Sequence, residues 1–230
     1  MKRKDIIVKL AEYLQSLTFL HPLRVGIDGV DAAGKTTLAG ELAAVIKGAG
    51  REVIRASIDG FHNPEHIRRQ QGDLSPKGFY QDSFNYAGAI EALLAPLGPG
   101  GNRQYITALF NHRKNQSVQT PIQTAAEDAI LLMDGIFLLR PELRPYWDVT
   151  LYLQVNFSNT IPRGVARDTG LYGSPEKATT RYLKRYVPGQ ELYHADAHPL
   201  DTADIIIDNN NLEKPEILKF PNISVLKKEF

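Results

Sequence analysis

The sequence predicts an α/β protein built on one parallel sheet with helices on both of its faces. Apolar stretches of strand length alternate with amphipathic stretches of helix length along most of the 230 residues, a pattern typical of parallel sheets. A glycine-rich turn joins the first predicted strand to the next helix. No repeat, low-complexity tract or second domain interrupts the pattern, so a single domain over 1–230 is expected.

The amino-terminal part of the chain predicts two helices and two strands. Ile6, Leu10 and Leu14 recur at helical spacing, and the pair His21-Pro22 breaks the helix that they indicate. The next helix is closed by Gly48 and Gly50. The predicted elements are a helix over 5–17, a buried strand over 23–28, a helix over 36–46 and a second strand over 52–58.

The rest of the chain continues the alternation after an irregular stretch. Residues 60–83 carry proline, glycine and charge without a clear period, which predicts an active-site insertion rather than core. Short apolar runs bounded by polar residues then predict strands. The predicted elements are a helix over 86–94, strands over 129–133 and 149–155, a helix over 158–168 with Pro162 in its first turn, and a strand over 205–207.

Composition excludes several classes of protein. The net charge of +1 gives no global field for nucleic acid or an acidic membrane, and no apolar run approaches a membrane span. The absence of cysteine excludes a disulfide framework, a thiolate metal site and a cysteine nucleophile. A soluble cytoplasmic protein without nucleic-acid or membrane partners is expected, and a homo-oligomer is left open.

The strongest motif is the glycine-rich turn, Gly29-Val-Asp-Ala-Ala-Gly-Lys-Thr36, which fits G-x4-G-K-S/T. In such a loop successive backbone N–H groups turn inward around phosphate oxygens at a helix N-terminus, where the helix dipole favours anions. Lys35 would reach the β- and γ-phosphates of ATP, and the Thr36 hydroxyl would ligate Mg²⁺. The predicted ATP-binding residues are Gly29, Val30, Asp31, Ala32, Ala33, Gly34, Lys35, Thr36 and Thr37.

Other motifs narrow the function, because a P-loop alone fits ATPases, GTPases and kinases. The chain contains neither the N-K-x-D element of GTPases nor the L-S-G-G-Q element of ABC ATPases. Asp59 follows the second predicted strand, at the edge of the sheet where ligands bind, and can act as the base that takes the proton of an attacking hydroxyl. Asp134 ends a third strand and can contact Mg²⁺ directly or through water. The alternative for both residues is a turn or strand-end aspartate before a glycine.

Four further segments, with the P-loop, resemble the phosphoribulokinase/uridine kinase family over roughly residues 22–210. They are Ser57-Ile-Asp-Gly-Phe-His-Asn-Pro64, Lys77-Gly-Phe-Tyr-Gln-Asp-Ser-Phe84, Met133-Asp-Gly-Ile136 and Ala203-Asp-Ile-Ile-Ile-Asp208. The resemblance implies the three-layer α/β/α fold of the P-loop NTPases with a mainly parallel five-stranded sheet. It also implies an acceptor-binding insertion over about 60–120, a lid over about 163–190, ATP, Mg²⁺ and a hydroxyl acceptor.

Within that family the chain is most similar to uridine-kinase-like nucleoside kinases, so the implied acceptor is the 5′-OH of a nucleoside such as uridine or cytidine. It also resembles bacterial pantothenate kinase, which leaves a pantothenate-like or other small alcohol as the alternative. By the same resemblance the catalytic residues are Asp59, Lys35, Arg163 and Arg167. The implied acceptor-binding residues are His62, Phe79, Tyr80, Asp82, Phe84, Tyr105, Phe110, His112 and Arg113.

Two positions depart from the family pattern. Asn85 stands where the family has aspartate, and Asp134 stands where uridine kinases have glutamate. Both departures bear on the identity of the acceptor more than on phosphoryl transfer. Two other classes remain open at this point: a nucleotide-gated regulatory ATPase, and a binding protein that keeps the fold without catalysis.

Overall fold

The computed structural model describes residues 2–221. Its strands are β1 (Leu23–Gly29), β2 (Val53–Ser57), β3 (Gln104–Tyr105), β4 (Phe110–Asn111), β5 (Gln116–Ser117), β6 (Gln123–Thr124), β7 (Ile130–Asp134), β8 (Val149–Gln154), β9 (Ile205–Asp208) and β10 (Glu216–Lys219). Its α-helices are α1 (Arg3–Ser16), α2 (Lys35–Gly48), α3 (Glu65–Arg68), α4 (Pro76–Asp82), α5 (Tyr86–Ala89), α6 (Phe157–Tyr172), α7 (Pro175–Arg181), α8 (Val187–Ala197) and α9 (Pro199–Thr202). Single 3₁₀ turns cover Ile58–Phe61 and Arg144–Tyr146, and π-helical turns cover Ile90–Leu94 and Tyr182–Tyr186.

The central sheet has the strand order β10-β9-β8-β1-β7-β2. The five strands from β9 to β2 are parallel, as the sequence predicts, and β10 adds an antiparallel edge to β9. This sixth strand was not predicted. Its residues Glu216–Lys219 are mostly exposed, so the sequence there lacks the apolar signal that marks the buried strands.

Two apolar cores cover the two faces of the sheet, which confirms the three-layer architecture. Leu10 of α1 and Leu42 of α2 belong to the core on one face. Phe79 of α4, Leu93 and Tyr193 of α8 belong to the core on the other face. The alternating strand residues feed both cores, because successive side chains of a strand point to opposite faces.

Two local predictions were wrong. Helix α6 runs from Phe157 to Tyr172, so Pro162 lies inside the helix rather than in its first turn. The stretch 60–83 was predicted to lie outside the core, but Phe61, Phe79 and Tyr80 are buried in the core on the second face; its helices α3 and α4, of 4 and 7 residues, are too short to show a hydrophobic period. No helix among residues 2–221 is both long and apolar enough to cross a membrane.

Candidate active site

The turn between β1 and α2 has the backbone of a phosphate-binding loop. Gly29, Ala32 and Gly34 have φ angles of 148°, 56° and 96°, the left-handed region that lets successive N–H groups converge. A Cβ on Gly29 would lie 2.7 Å from the carbonyl oxygen of Leu153, so only glycine fits there. Gly34 is the N-cap of α2 and offers no side-chain cap, which leaves the first amides of the helix available to an anion.

Lys35 lies over this loop. Its Nζ donates hydrogen bonds to the carbonyl oxygens of Gly29 at 2.9 Å and Val30 at 2.8 Å, and the residue is buried. Burial lowers the pKa of Lys35, although the nearby carboxylates of Asp31 and Asp28 oppose that shift. The lysine is therefore held above the ring of amides that would contact a phosphate, as the motif predicts.

Asp134 ends β7 beside the loop and has both carboxylate oxygens engaged. Thr36 Oγ1 donates to Oδ2 at 2.7 Å, and Arg55 Nη2 lies 2.7 Å from Oδ1. The paired oxygens of Thr36 and Asp134 are hard ligands on one side of the cleft, and they fit Mg²⁺, which is usually held by one or two protein oxygens plus phosphate and water. Residues 2–221 contain no cluster of three or more metal-ligating side chains.

Asp59 lies in the 3₁₀ turn that follows β2, and β2 pairs with β7 so that Ser57 lies opposite Asp134. The Ser57 hydroxyl accepts the Asp59 N–H at 3.3 Å and so fixes the turn. The Asp59 side chain is 62% exposed, and its carboxylate lies 3.5 Å from Nε2 of His62. The other ring nitrogen of His62, Nδ1, contacts the Ser83 carbonyl oxygen at 3.0 Å. Partial desolvation raises the pKa of Asp59, but the hydrogen bond and charge of His62 outweigh it, so the pKa lies below its usual value.

A cleft of about 1640 Å³ joins the loop to this aspartate. It is large enough for a nucleotide and a second small molecule together. The predicted site residues that line it are Asp31, Ala32, Gly34, Lys35, Thr36, Thr37, Asp59, His62, Phe79, Phe84, His112, Arg113, Asp134, Arg163 and Arg167. The structure thus brings the phosphate loop, the candidate base and both predicted arginines to one cavity.

Four predicted acceptor residues do not line that cleft. The Tyr80 hydroxyl donates to Asp196, and Asp82 accepts a hydrogen bond from Gln71. Tyr105 donates to Gln123 at 3.0 Å across the β3–β6 ribbon, and Phe110 is buried in β4. The predicted aromatic wall for a planar base is therefore reduced to Phe79, Phe84 and the two histidines.

Comparisons with known proteins agree with this fold, although no family model matches the chain. Uridine-cytidine kinase B from Dictyostelium discoideum is 23% identical over 183 residues, which cover 76% of this chain and 73% of that protein. A Bacillus stearothermophilus protein described as a possible uridine kinase superposes with a TM-score of 0.70 at 20% identity, covering 88% of this chain and 97% of that one.

D-glycerate 3-kinase from Cryptococcus neoformans superposes with a TM-score of 0.62 at 14% identity, covering 93% of this chain and 99% of that one. The fold is that of the P-loop kinases. The comparisons are also consistent with the resemblance to the phosphoribulokinase/uridine kinase family.

In this P-loop kinase fold the two predicted lid arginines have different partners. Arg163 donates to the carbonyl oxygens of Asn209 and Asn210, at 3.4 Å and 2.6 Å. Arg167 makes a two-point ion pair with Asp168, at 2.8 Å and 2.9 Å. Both are thus anchored at the wall of the cleft, where phosphate oxygens could compete for their remaining donors.

Sequence reasoning missed a buried support beneath the loop. Asp28, at the end of β1, is fully buried and accepts hydrogen bonds from the N–H groups of Gly29 at 2.6 Å and Leu139 at 3.1 Å, and from the Tyr193 hydroxyl. Burial raises the pKa of Asp28, and the hydrogen bond from Tyr193 opposes that shift. An acid inside a strand predicted to be buried was the available signal, because such a group must be paired.

A second missed contact joins the lid to the loop. Gln190 of α8 is buried, and its Oε1 accepts the backbone N–H of Asp31 at 2.6 Å, while its Nε2 donates to the Tyr186 carbonyl at 2.8 Å. The contact spans 159 residues, so no local pattern could indicate it.

Asn85 likewise has a structural role, since its Oδ1 caps α5 by accepting the Gly88 N–H at 2.8 Å.

Proposed function

We propose that the chain is an ATP-dependent phosphotransferase that moves the γ-phosphoryl group onto a hydroxyl of a small molecule. The observation that carries the proposal is the shared cleft, in which the P-loop with Lys35 and the exposed carboxylate of Asp59 face one cavity. A nucleoside triphosphate is the donor because the loop offers amides and an ammonium to its phosphates, and ATP is proposed because the chain lacks the N-K-x-D element of GTPases. The kinases among its structural neighbours and the 23% identical relative support the same class of reaction.

The residues divide the work of the reaction. Asp59 accepts the proton of the acceptor hydroxyl as its oxygen forms a bond to the γ-phosphorus. The bond between that phosphorus and the β–γ bridging oxygen breaks, and its electron pair leaves with ADP. Lys35 and the loop amides hold the phosphates, and Arg163 and Arg167 neutralise charge on the transferring group. Mg²⁺, held by Thr36 and Asp134, would screen the phosphate charge and orient the triphosphate.

Two classes of acceptor remain candidates. A nucleoside such as uridine or cytidine is supported by the motifs and by the relative named uridine-cytidine kinase B. A small alcohol, pantothenate-like or otherwise, is supported by the placement of Tyr80, Tyr105 and Phe110 outside the cleft, which removes three of the rings predicted to stack a base. The structural neighbour named D-glycerate 3-kinase also fits this second class.

A coupled ADP-release assay tests the proposal. Purified protein with ATP and Mg²⁺ is screened against nucleosides, pantothenate, glycerate and simple sugars. ADP release that depends on an acceptor, and that Asp59→Asn abolishes, supports phosphotransfer. Equal ADP release with and without every acceptor would instead indicate a regulatory ATPase. Nucleotide binding without any ADP release would indicate a protein that keeps the fold without catalysis.

A further inference from the structure

Arg68, at the end of α3, is a partly buried cation without a carboxylate partner. Its Nε donates to the carbonyl oxygen of Asn63 at 2.7 Å, which fixes the guanidinium group. Its two terminal nitrogens have no hydrogen-bond or ion-pair partner among residues 2–221, although the residue lines the cleft. Burial and the neighbouring charge of Arg69 lower the pKa of Arg68, so the cation is held at a cost. A fixed guanidinium whose two terminal nitrogens have no partner is suited to bind an anion.

Arg113 lies on the neighbouring turn and also lines the cleft. The turn is tied to the start of α3, because Asn115 Oδ1 accepts the backbone N–H of Glu65 at 2.8 Å. The Arg113 side chain has no hydrogen-bond or ion-pair partner among the described residues. Two segments far apart in the sequence thus present uncompensated guanidinium groups to the same cavity.

Both arginines lie at the end of the cleft that holds the candidate base. His112, next to Arg113, packs against His62 with ring centroids 4.6 Å apart, and His62 contacts Asp59. The charges of Arg68 and Arg113 both act on His112, together with that of Asp59. The acceptor hydroxyl would therefore meet Asp59 within the same positively charged region.

Three neighbouring arginines have partners of their own. Arg69 pairs with Glu65 at 2.6 Å and with Asp73 at 3.2 Å. Arg181 also pairs with Asp73. Arg185 is buried, and it donates to several backbone carbonyl oxygens. Glu65 and Asp73 are thus paired with other arginines, whereas the guanidinium groups of Arg68 and Arg113 have no ion pair of their own among the described residues.

We propose that the acceptor carries an anionic group, a carboxylate or a phosphate, which Arg68 and Arg113 bind while its hydroxyl faces Asp59. This inference rests on the proposed phosphotransfer and names the class of its acceptor. Guanidinium groups match the geometry of both anions, and they offset the repulsion between an anionic acceptor and the triphosphate. A neutral nucleoside would leave the charge of both cations without a counter-charge.

Binding of inorganic phosphate tests the subsite without turnover. The protein is first saturated with Mg²⁺ and a non-hydrolysable ATP analogue, so that the P-loop is filled, and phosphate is then titrated by calorimetry. We expect Arg68→Met and Arg113→Met each to weaken phosphate binding by about tenfold or more, since hydrogen bonds to charged groups are lost. Lys114→Met is the matched control, because Lys114 lies on the same turn outside the cleft. Equal binding by all four proteins, or no binding to any, would overturn the subsite.

Turnover then tests the acceptor class with matched alcohols. Glycerol, glycerate, glycerol 3-phosphate and uridine are compared in the ADP-release assay, and glycerate and glycerol 3-phosphate separate carboxylate from phosphate. Preference for an anionic alcohol, with Arg68→Met raising its KM about tenfold or more and sparing kcat, supports the inference. Preference for uridine or glycerol, unchanged in Arg68→Met, overturns it and leaves phosphotransfer standing. Arginine-dependent phosphate binding without ADP release from any acceptor supports the subsite and refutes phosphotransfer.

Discussion

The two ends of the cleft are built in different ways. At the phosphate end, contiguous main-chain atoms of the β1–α2 turn form most of the site, and Lys35 and Thr36 at the start of α2 add their side chains. At the acceptor end, isolated side chains meet from separate short segments: Asp59 and His62, Arg68, and His112 with Arg113. The phosphate end can bind any triphosphate, because backbone amide groups, rather than particular side chains, contact the phosphates. The acceptor end can change its ligand through the substitution of a single side chain, which explains why proteins of one fold can act on different acceptors.

Replacing Asp59 by Asn should produce the largest effect of a single substitution at either end. The amide cannot take the proton of the acceptor hydroxyl, so kcat should fall by about 10²–10⁴-fold. Affinity for an ATP analogue should stay near that of the wild type, because the phosphate end is untouched. Asp201→Asn, an exposed residue of α9, is the control. If Asp59→Asn kept the wild-type kcat, Asp59 would not be the base at the acceptor end.

Replacing Lys35 by Ala should act on the other end. Loss of the ammonium removes charge-assisted hydrogen bonds to the phosphates, so affinity for an ATP analogue should fall by about 10–100-fold, and kcat with it. Calorimetric titration measures the affinity. Lys47→Ala, in the exposed last turn of the same helix, should bind the analogue as the wild type does. If the two variants bind alike, the triphosphate lies elsewhere.

The difference between the phosphate end and the acceptor end also explains how much of the site the sequence could predict. The phosphate loop and its strand and helix were predicted because they form one contiguous motif, and Asp59 and Asp134 were placed at the correct edge by the rule for parallel strands. The acceptor wall was implied by the family resemblance, and a resemblance of motifs cannot say which way a ring points. Tyr105 lies in a two-residue strand, too short for the alternation that would show its buried side.

Contacts between distant segments were also beyond the sequence. Tyr193 and Gln190 reach the loop from α8, and neither carries a motif of its own. The sequence gives no reason to single out Arg68, because a charged residue in an irregular stretch is usually exposed to solvent. Only the folded structure shows that the two terminal nitrogens of Arg68 have no partner among the described residues.

Replacing Tyr193 by Phe tests whether the phosphate end depends on its buried support. The hydroxyl donates to Asp28, which in turn accepts the Gly29 N–H, so its loss leaves a buried carboxyl with one donor fewer. We expect the free energy of unfolding to fall by about 1–3 kcal/mol, measured by urea denaturation. Tyr13→Phe is the control, since the Tyr13 hydroxyl has no hydrogen-bond partner among residues 2–221. A Tyr193→Phe variant as stable as the control would show that the loop does not need this contact.

Replacing His62 by Gln should give the smallest and most diagnostic effect, a shift of the pH profile. The ionised form of Asp59 is the active base, and His62 helps to hold the pKa of that carboxyl below its usual value. Activity of the wild type should therefore persist as the pH falls, until the carboxylate takes up a proton at its lowered pKa. Without His62 the desolvation of Asp59 is no longer outweighed to the same extent, so its pKa rises and the acid limb of kcat/KM moves to higher pH. Near neutral pH the two proteins should differ little, because Asp59 is ionised in both. His66→Gln, an exposed histidine outside the cleft, is the control. Acid limbs that superpose in all three proteins would mean that Asp59 and His62 do not act as a pair, and that the acceptor end is built from fewer groups than the structure indicates.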